Sequence, residues 1–266
     1  MDRDALKKIK ALFLDMDGVL WTDNQPIGNL HRVFNDIKKS GLKVLFGSNN
    51  ATRTPEEYCS KLAAFGVEAS PEQFFTSGIG TVYQLHKDFP DGARVYVFGS
   101  DSLKKLLKEN GFEIVGENAD AVLVSLDREI SYEKISRAMI EICEHGAGFY
   151  ATNTDSTFVT ENGWRPGGGV MVNCVQTCTG RKPFVIGKPN TVMIDMACRA
   201  NGLRPDEILA VGDRYETDIC GGMNYGAKTA LVLTGYETAE TAAALDPKPD
   251  LICTDLAEVV RTIAAL

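Results

Sequence analysis

The stretch Ile9-Lys10-Ala11-Leu12-Phe13-Leu14-Asp15-Met16-Asp17-Gly18 decides the fold. Its apolar run reads as a short buried strand near the N-terminus. Two carboxylates one residue apart follow, then a glycine, so both stand at the strand's carboxyl end. In an open α/β sheet that is where ligands bind. Close carboxylates repel each other unless a cation, a proton or hydrogen bonds compensate. The first turn therefore calls for a metal or a proton-sharing role.

Outward from that stretch, strands and helices alternate. Lys43-Val44-Leu45-Phe46 reads as a strand ended by Gly47-Ser48-Asn49-Asn50. A helix follows, with Thr54 as N-cap, Pro55 at the first helical position and Glu57 closing a capping box. Tyr58, Leu62 and Phe65 repeat at helical spacing, and Gly66 suits the C-terminal cap. Ser70-Pro71-Glu72-Gln73 is a second start signal, and a helix is predicted from Gly78 to His86. Phe89-Pro90-Asp91-Gly92 marks a boundary. Beyond it, strands are predicted at 94–98, 121–125 and 148–151, with helices at 102–108 and 132–144.

The polar, Gly-rich passage from Thr152 to Gly169 is long for a plain connection, and such loops tend to be functional. In the last third, Phe184-Val185-Ile186, Ile208 to Val211, Thr229 to Leu233 and Leu251-Ile252-Cys253 read as strands. A helix from Thr191 to Ala200 ends at Gly202. Continuous apolar strands separated by helices predict an α/β fold with a doubly wound parallel sheet covered on both faces.

The chain has 266 residues, 44% hydrophobic and 24% charged, which is ordinary for a soluble globular protein. Its formal charge of −8 disfavours nucleic acid as the main partner, since phosphate backbones need clustered Lys and Arg. A small phosphorylated substrate needs only one local positive site. No run is long enough to span a membrane. The charged start, Met1 to Lys8, lacks the apolar core of a signal peptide. Seven scattered cysteines fit reduced thiols rather than a disulfide framework, so the expected location is cytoplasmic. Cys174 and Cys178 lie on one helical face, but His31, His86 and His145 are remote in sequence, so packing outweighs a zinc site.

Four spots follow predicted strands: Asp15/Asp17, Ser48-Asn49-Asn50, Gly187-Lys188-Pro189, and Gly212-Asp213-Arg214 with Asp218. Parallel neighbours would gather all four on one sheet edge. Several carboxylates, one lysine and hydroxyl and amide donors suit a phosphate monoester bound with Mg²⁺. Competing motifs fail. A calcium loop needs glycine where Leu20 stands, and a Walker loop needs Ser or Thr where Pro189 stands. Neither a dinucleotide fingerprint nor Gly-x-Ser-x-Gly occurs.

On these residues the chain resembles a haloacid-dehalogenase (HAD) superfamily phosphatase. The order Asp-x-Asp-Gly, Ser, Lys, Gly-Asp-x-x-x-x-Asp is that of the superfamily. The strings Asp17-Gly18-Val19-Leu20-Trp21, Pro166-Gly167-Gly168-Gly169, Gly180-Arg181-Lys182-Pro183 and Gly212-Asp213-Arg214-Tyr215-Glu216-Thr217-Asp218 resemble its subfamily IIA, the para-nitrophenyl phosphatase or NagD-like branch. The resemblance implies Asp15 as nucleophile and Asp17 as general acid and base. It implies Ser48, Asn49, Asn50 and Arg214 as substrate contacts. Lys188 would neutralise nucleophile and phosphoryl charge. Mg²⁺ would bind Asp15, the Asp17 main-chain carbonyl and Asp213, with Asp218 supporting the metal shell or orienting Lys188.

The resemblance further implies a Rossmannoid catalytic core at residues 1–90 and 181–266. A cap of the larger (C2) type would occupy 91–180 as a lid, its loop Thr152 to Phe158 directed at the leaving group. Expected substrates are para-nitrophenyl phosphate, phosphoglycolate, sugar phosphates, nucleoside monophosphates and pyridoxal phosphate. The partner is then a small phosphorylated metabolite, with no nucleic acid and no membrane, and the branch's habit implies a homodimer through the cap. The alternative is a non-catalytic protein that binds phosphorylated ligands on the same fold.

Overall fold

The computed structural model describes residues 3–160 and 163–266. Met1 and Asp2 of the charged start, and Glu161 and Asn162 of the Gly-rich passage, lie outside the described residues. In chain order the strands are β1 (Ala11–Leu14), β2 (Trp21–Thr22), β3 (Gln25–Pro26), β4 (Lys43–Ser48), β5 (Phe74–Thr76), β6 (Arg94–Phe98), β7 (Glu113–Ile114) and β8 (Ala121–Val124). There follow β9 (Gly148–Ala151), β10 (Thr157–Thr160), β11 (Gly163–Pro166), β12 (Phe184–Val185), β13 (Ile208–Gly212), β14 (Lys228–Val232) and β15 (Leu251–Cys253).

The chain forms two compact units. The first comprises Met1–Ser48, Pro55–Phe75 and Lys188–Leu266. Its sheet has the order β15-β14-β13-β1-β4-β5. β1 pairs in parallel with β4 and β13, and β14 pairs in parallel with β13 and β15. Alternate residues explain the double winding. Leu12, Leu14, Phe46, Leu209 and Val211 face the helices Leu30–Lys39, Pro55–Ala64 and Leu256–Ala264. Ala11, Phe13, Leu45, Ile208 and Ala210 face the helix Val192–Asn201. Every residue of β1 is buried as a result, which is why the strand reads as a continuous apolar run. Leu14 stands opposite both Phe46 and Val211. The three central strands therefore end at one level, and the residues after them emerge together.

The second unit comprises Asn49–Thr54 and Thr76–Gly187. Its sheet, β12-β9-β8-β6-β7, is parallel throughout. Phe98, Val122, Val124 and Phe149 pack there against Ala138 and Ile142 of the helix Tyr132–Cys143 and Val172 and Val175 of the helix Gly168–Thr179.

The division differs from the expected boundaries at 90 and 181. The helix Ser77–Asp88 packs on the helix Asp101–Glu109, so the second unit begins at Thr76. β12 was expected among the core strands. It pairs instead with β9, Phe184 opposite Tyr150 and Val185 opposite Ala151, so the unit runs to Gly187. β1 already has β4 and β13 as neighbours and offers this short strand no free edge. The passage expected as a long loop contains the hairpin β10–β11, with Thr157 opposite Pro166. All seven cysteines are free thiols. Among the described residues, no helix is long and apolar enough to cross a membrane.

Candidate active site

Asp15 leaves the end of β1 still tied to the sheet, its N–H donating to Val211 O at 2.8 Å. Lys188 opens the last segment of the first unit, and its ammonium reaches the same place. Nζ lies 2.5 Å from Asp15 Oδ1, 2.6 Å from Asp218 Oδ1 and 3.0 Å from Gly47 O. Asp15 Oδ1 and Gly47 O accept hydrogen bonds from this side chain, 8% exposed, and Asp218 Oδ1 forms an ion pair with it. Burial alone would lower the Lys188 ammonium's pKa. Asp15 and Asp218 outweigh that and hold it above its ordinary value.

Asp218 sits on a π-helical turn, Tyr215–Ile219, that follows β13. Its second oxygen, Oδ2, accepts from Arg214 N at 3.1 Å. Asp213, the first residue after β13, is buried and accepts at Oδ2 from Tyr236 N at 2.7 Å. Gly18 and Gly235 leave room for it, since a Cβ at either would run into its carboxylate. Gly18 has φ +86°, and a Cβ there would stand 2.5 Å from Asp213 Oδ2. Thr234 Oγ1 donates to Gly18 O at 2.5 Å and holds that turn in place.

Carboxylate oxygens of Asp15, Asp213 and Asp218 all lie within 4.8 Å of one another. Burial, and then the Asp218 charge, push the Asp213 carboxyl up to about 7, against the Tyr236 N–H and the Arg214 and Lys188 charges. Burial likewise pushes the Asp15 carboxyl above the ordinary range, against the pull of Lys188 and with the push of Asp218 and Asp213. One ammonium does not balance three carboxylates. The donor set is hard oxygen at the end of parallel strands, which fits a hard divalent cation such as Mg²⁺.

Asp17 is exposed at the start of a turn, and its Oδ1 accepts from Trp21 Nε1 at 2.8 Å. Ser48 is buried at the end of β4, one residue after the Gly47 carbonyl that Lys188 binds. Asn49 and Asn50 belong to the second unit. Asn49 Nδ2 donates to Asp155 Oδ2 at 3.0 Å, and Asn49 O accepts from Ser77 Oγ at 2.6 Å and Asn153 Nδ2 at 2.5 Å. Asn50 Oδ1 accepts from Thr52 N and Oγ1 at 2.8 and 2.7 Å, an Asx turn that shapes its own loop. The Arg214 guanidinium lies over the Tyr236 ring, 4.6 Å from its centroid.

Known proteins resemble this chain in sequence and fold. Residues 12–113 match the family described as haloacid dehalogenase-like hydrolase, and residues 185–259 a second HAD-hydrolase-like family. The 5'-nucleotidase YutF of Bacillus subtilis is 37% identical over 235 residues, 88% of this chain and 91% of that one. The acid sugar phosphatase of Staphylococcus aureus is 34% identical over 259 residues, 97% and 99% of the two chains. The solved p-nitrophenyl phosphatase of Archaeoglobus fulgidus superposes with a TM-score of 0.89 at 31% identity, covering 96% of this chain and 99% of that chain. A glycerol phosphate phosphatase of Mycobacterium tuberculosis, solved in complex with magnesium, superposes with a TM-score of 0.88 at 30% identity, covering 97% and 78%.

The chain belongs to the haloacid dehalogenase-like hydrolases.

As a haloacid dehalogenase-like hydrolase of the p-nitrophenyl phosphatase branch, it is an enzyme acting on phosphate esters. Sequence spacing alone pointed to the loops that hold its acidic cluster and Lys188. It missed three contributors: the Gly47 carbonyl on Lys188, the Tyr236 N–H on Asp213, and the Trp21 indole on Asp17. The two main-chain groups leave no trace in residue identity. Trp21 did leave one, four residues after Asp17, but a lone tryptophan by type alone points to packing. Its ring is indeed packed, but its N–H is spent on the carboxylate.

Proposed function

We propose that this chain is a Mg²⁺-dependent phosphatase of small phosphate monoesters that turns over through an aspartyl phosphate on Asp15. The observation that carries the reading is the Lys188 ammonium held between Asp15 and Asp218, beside the buried Asp213. Asp15 and Asp213 would hold the cation with the Asp17 main-chain carbonyl, and Asp218 would support its shell and orient Lys188. When bound, Mg²⁺ supplies positive charge that lets a phosphate dianion approach a carboxylate nucleophile.

Asp15 attacks phosphorus through one carboxylate oxygen, and the bond from phosphorus to the leaving oxygen breaks. Asp17 gives its proton to that oxygen, so the product leaves as a neutral alcohol or phenol. In the second step Asp17 takes a proton from water as the water attacks the aspartyl phosphate. The phosphorus–Asp15 bond breaks, and inorganic phosphate and the free carboxylate return. Lys188 holds positive charge at the nucleophile throughout, and Ser48, with Asn49, binds phosphoryl oxygens. Positioning and electrostatics dominate such transfers. The second unit, Asn49–Thr54 and Thr76–Gly187, is assigned the role of the cap.

Sugar phosphates and nucleoside monophosphates are the first substrate classes to assay, because similar proteins are named acid sugar phosphatase and 5'-nucleotidase. The test is phosphate release from a panel of monoesters, including para-nitrophenyl phosphate and phosphoglycolate, with Mg²⁺ and with chelator. Turnover that needs Mg²⁺ and vanishes in Asp15→Asn is expected. Turnover that survives in Asp15→Asn, or none on any monoester, would overturn the proposal.

A further inference from the structure

Trp21 is wholly buried, yet its indole N–H serves an exposed carboxylate, Nε1 donating to Asp17 Oδ1 at 2.8 Å. The ring has little freedom. It stacks on Tyr58 at 6.4 Å and 17° between planes, and Phe65 lies against it at 6.1 Å. The Lys61 ammonium sits over the ring, 4.0 Å from its centroid, and donates to Asp23 O at 2.5 Å in the β2–β3 turn. Asp23 has φ +54° there, so the cation holds a hairpin turn in the left-handed region. The main chain adds a second tie. Gly18 N donates to Trp21 O at 2.8 Å, and Asp17 and Trp21 form an isolated β-bridge.

An indole N–H is a donor only. A carboxyl oxygen facing it accepts and cannot direct a proton at it. The carbonyl oxygen of a protonated carboxyl is the stronger acceptor, so this hydrogen bond favours the Asp17 proton on the other oxygen. We infer that Trp21 is the positioning residue for proton transfer: it fixes the Asp17 carboxyl so that Oδ2 gives the proton to the leaving oxygen and later takes one from water. In the first step the Oδ2–H bond breaks as the leaving oxygen's O–H bond forms. In the second a water O–H bond breaks and Oδ2–H forms again. The inference rests on the reading of Asp17 as acid and base proposed above.

Two substrates separate positioning from packing. The nitrophenolate group departs with little protonation, whereas the alkoxide of glycerol phosphate requires it. The quantity to compare is kcat/KM, which reports steps through departure of the leaving group, and the variants are Trp21→Phe, Phe65→Leu and Asp17→Asn. Trp21→Phe keeps a ring in the aromatic cluster and removes the donor. It is expected to lose about ten- to a hundredfold on glycerol phosphate, with a much smaller loss on para-nitrophenyl phosphate. Phe65→Leu loosens the same cluster and keeps the N–H, so it should lower Tm and leave the ratio of the two substrates at the wild-type value.

Should Trp21→Phe fail to fold, benzothienylalanine at position 21 replaces the N–H by sulfur within the same ring outline and should give the same split. A wild-type ratio in the donor-free variant, with a changed ratio in Asp17→Asn, would overturn the inference alone. A wild-type ratio in Asp17→Asn would overturn the acid–base reading and the inference with it.

Discussion

Lys188 Nζ and Asp15 Oδ1 lie 2.5 Å apart although 173 positions separate the two residues in the chain. Asp218 Oδ1 and Gly47 O lie against the same ammonium. The proposed nucleophile Asp15, the ammonium beside it and the groups that hold that ammonium are thus drawn from the ends of β1 and β4, the start of the last segment and the turn after β13. Each contributes one group, and removing one exposes the others.

Lys188→Ala leaves the partly buried Asp15 and the buried Asp218 carboxylates without their cation. Breaking a buried pair on one side costs about 3–5 kcal/mol, so the Tm should fall. Loss of a charge aimed at the reacting centre should also lower kcat by about 10²–10³ or more. Steady-state kinetics well below the variant's own Tm separate the two effects. A kcat within tenfold of wild type there would remove Lys188 from the chemistry.

Asp213→Asn removes one negative charge from a crowded set while preserving an oxygen for the Tyr236 N–H. In chelator near pH 8 the variant should be more stable than wild type, by about 1–3 kcal/mol. Its Mg²⁺ affinity and turnover should both fall by tenfold or more. Denaturant melts and magnesium titration by calorimetry check both halves, and a variant less stable than wild type in chelator would contradict the electrostatic account.

The metal-free protein should lose stability as pH rises through the acid-to-neutral range. Asp213 is raised to about 7 in the folded state, and Asp15 is displaced in the same direction. The ordinary aspartate value is about 4. Between these values the folded state keeps protons that the unfolded state has released, so the unfolding free energy decreases with pH. Lys188 stays protonated across this window and does not alter the sign. Melting temperatures in chelator should fall from about pH 5 to about pH 8, and added Mg²⁺ should flatten the slope. A Tm that rises over this range in chelator would contradict the assignment.

Gly18→Ala tests the space around Asp213. The new Cβ would meet Asp213 Oδ2 at 2.5 Å on a backbone at φ +86°. Left-handed backbone costs a non-glycine residue roughly 1–2 kcal/mol, and the carboxylate must also move. Magnesium affinity should fall more than stability does. Unchanged affinity in calorimetry would show that Asp213 tolerates displacement.

Much of this was legible in the chain itself. Ala11 to Leu14 is apolar at every position because both faces of β1 are covered, and that run with Asp15 and Asp17 after it points to a parallel sheet and its ligand edge. The loops bearing Ser48, Asp213 and Asp218 follow apolar strands of the same sheet, whereas the short run before Lys188 belongs to the other sheet. Helix starts such as Thr54-Pro55 declare themselves through local hydrogen-bonding chemistry. Local rules of this sort act within a few residues, so a linear reading can find them.

Tertiary structure alone decided which runs become neighbours. Phe184-Val185 pairs with β9 rather than with the first sheet, and nothing in so short a segment specifies an edge. Trp21 serves Asp17 because Tyr58, Phe65 and Lys61, from a later helix and the turn after it, hold its ring. The charge states of Asp213 and Lys188 likewise depend on burial and on partners distant in the chain. Residue type determines what a side chain can donate, accept or carry; the fold determines what faces it and how little water lies between them, and those two conditions turn the same residues into a site.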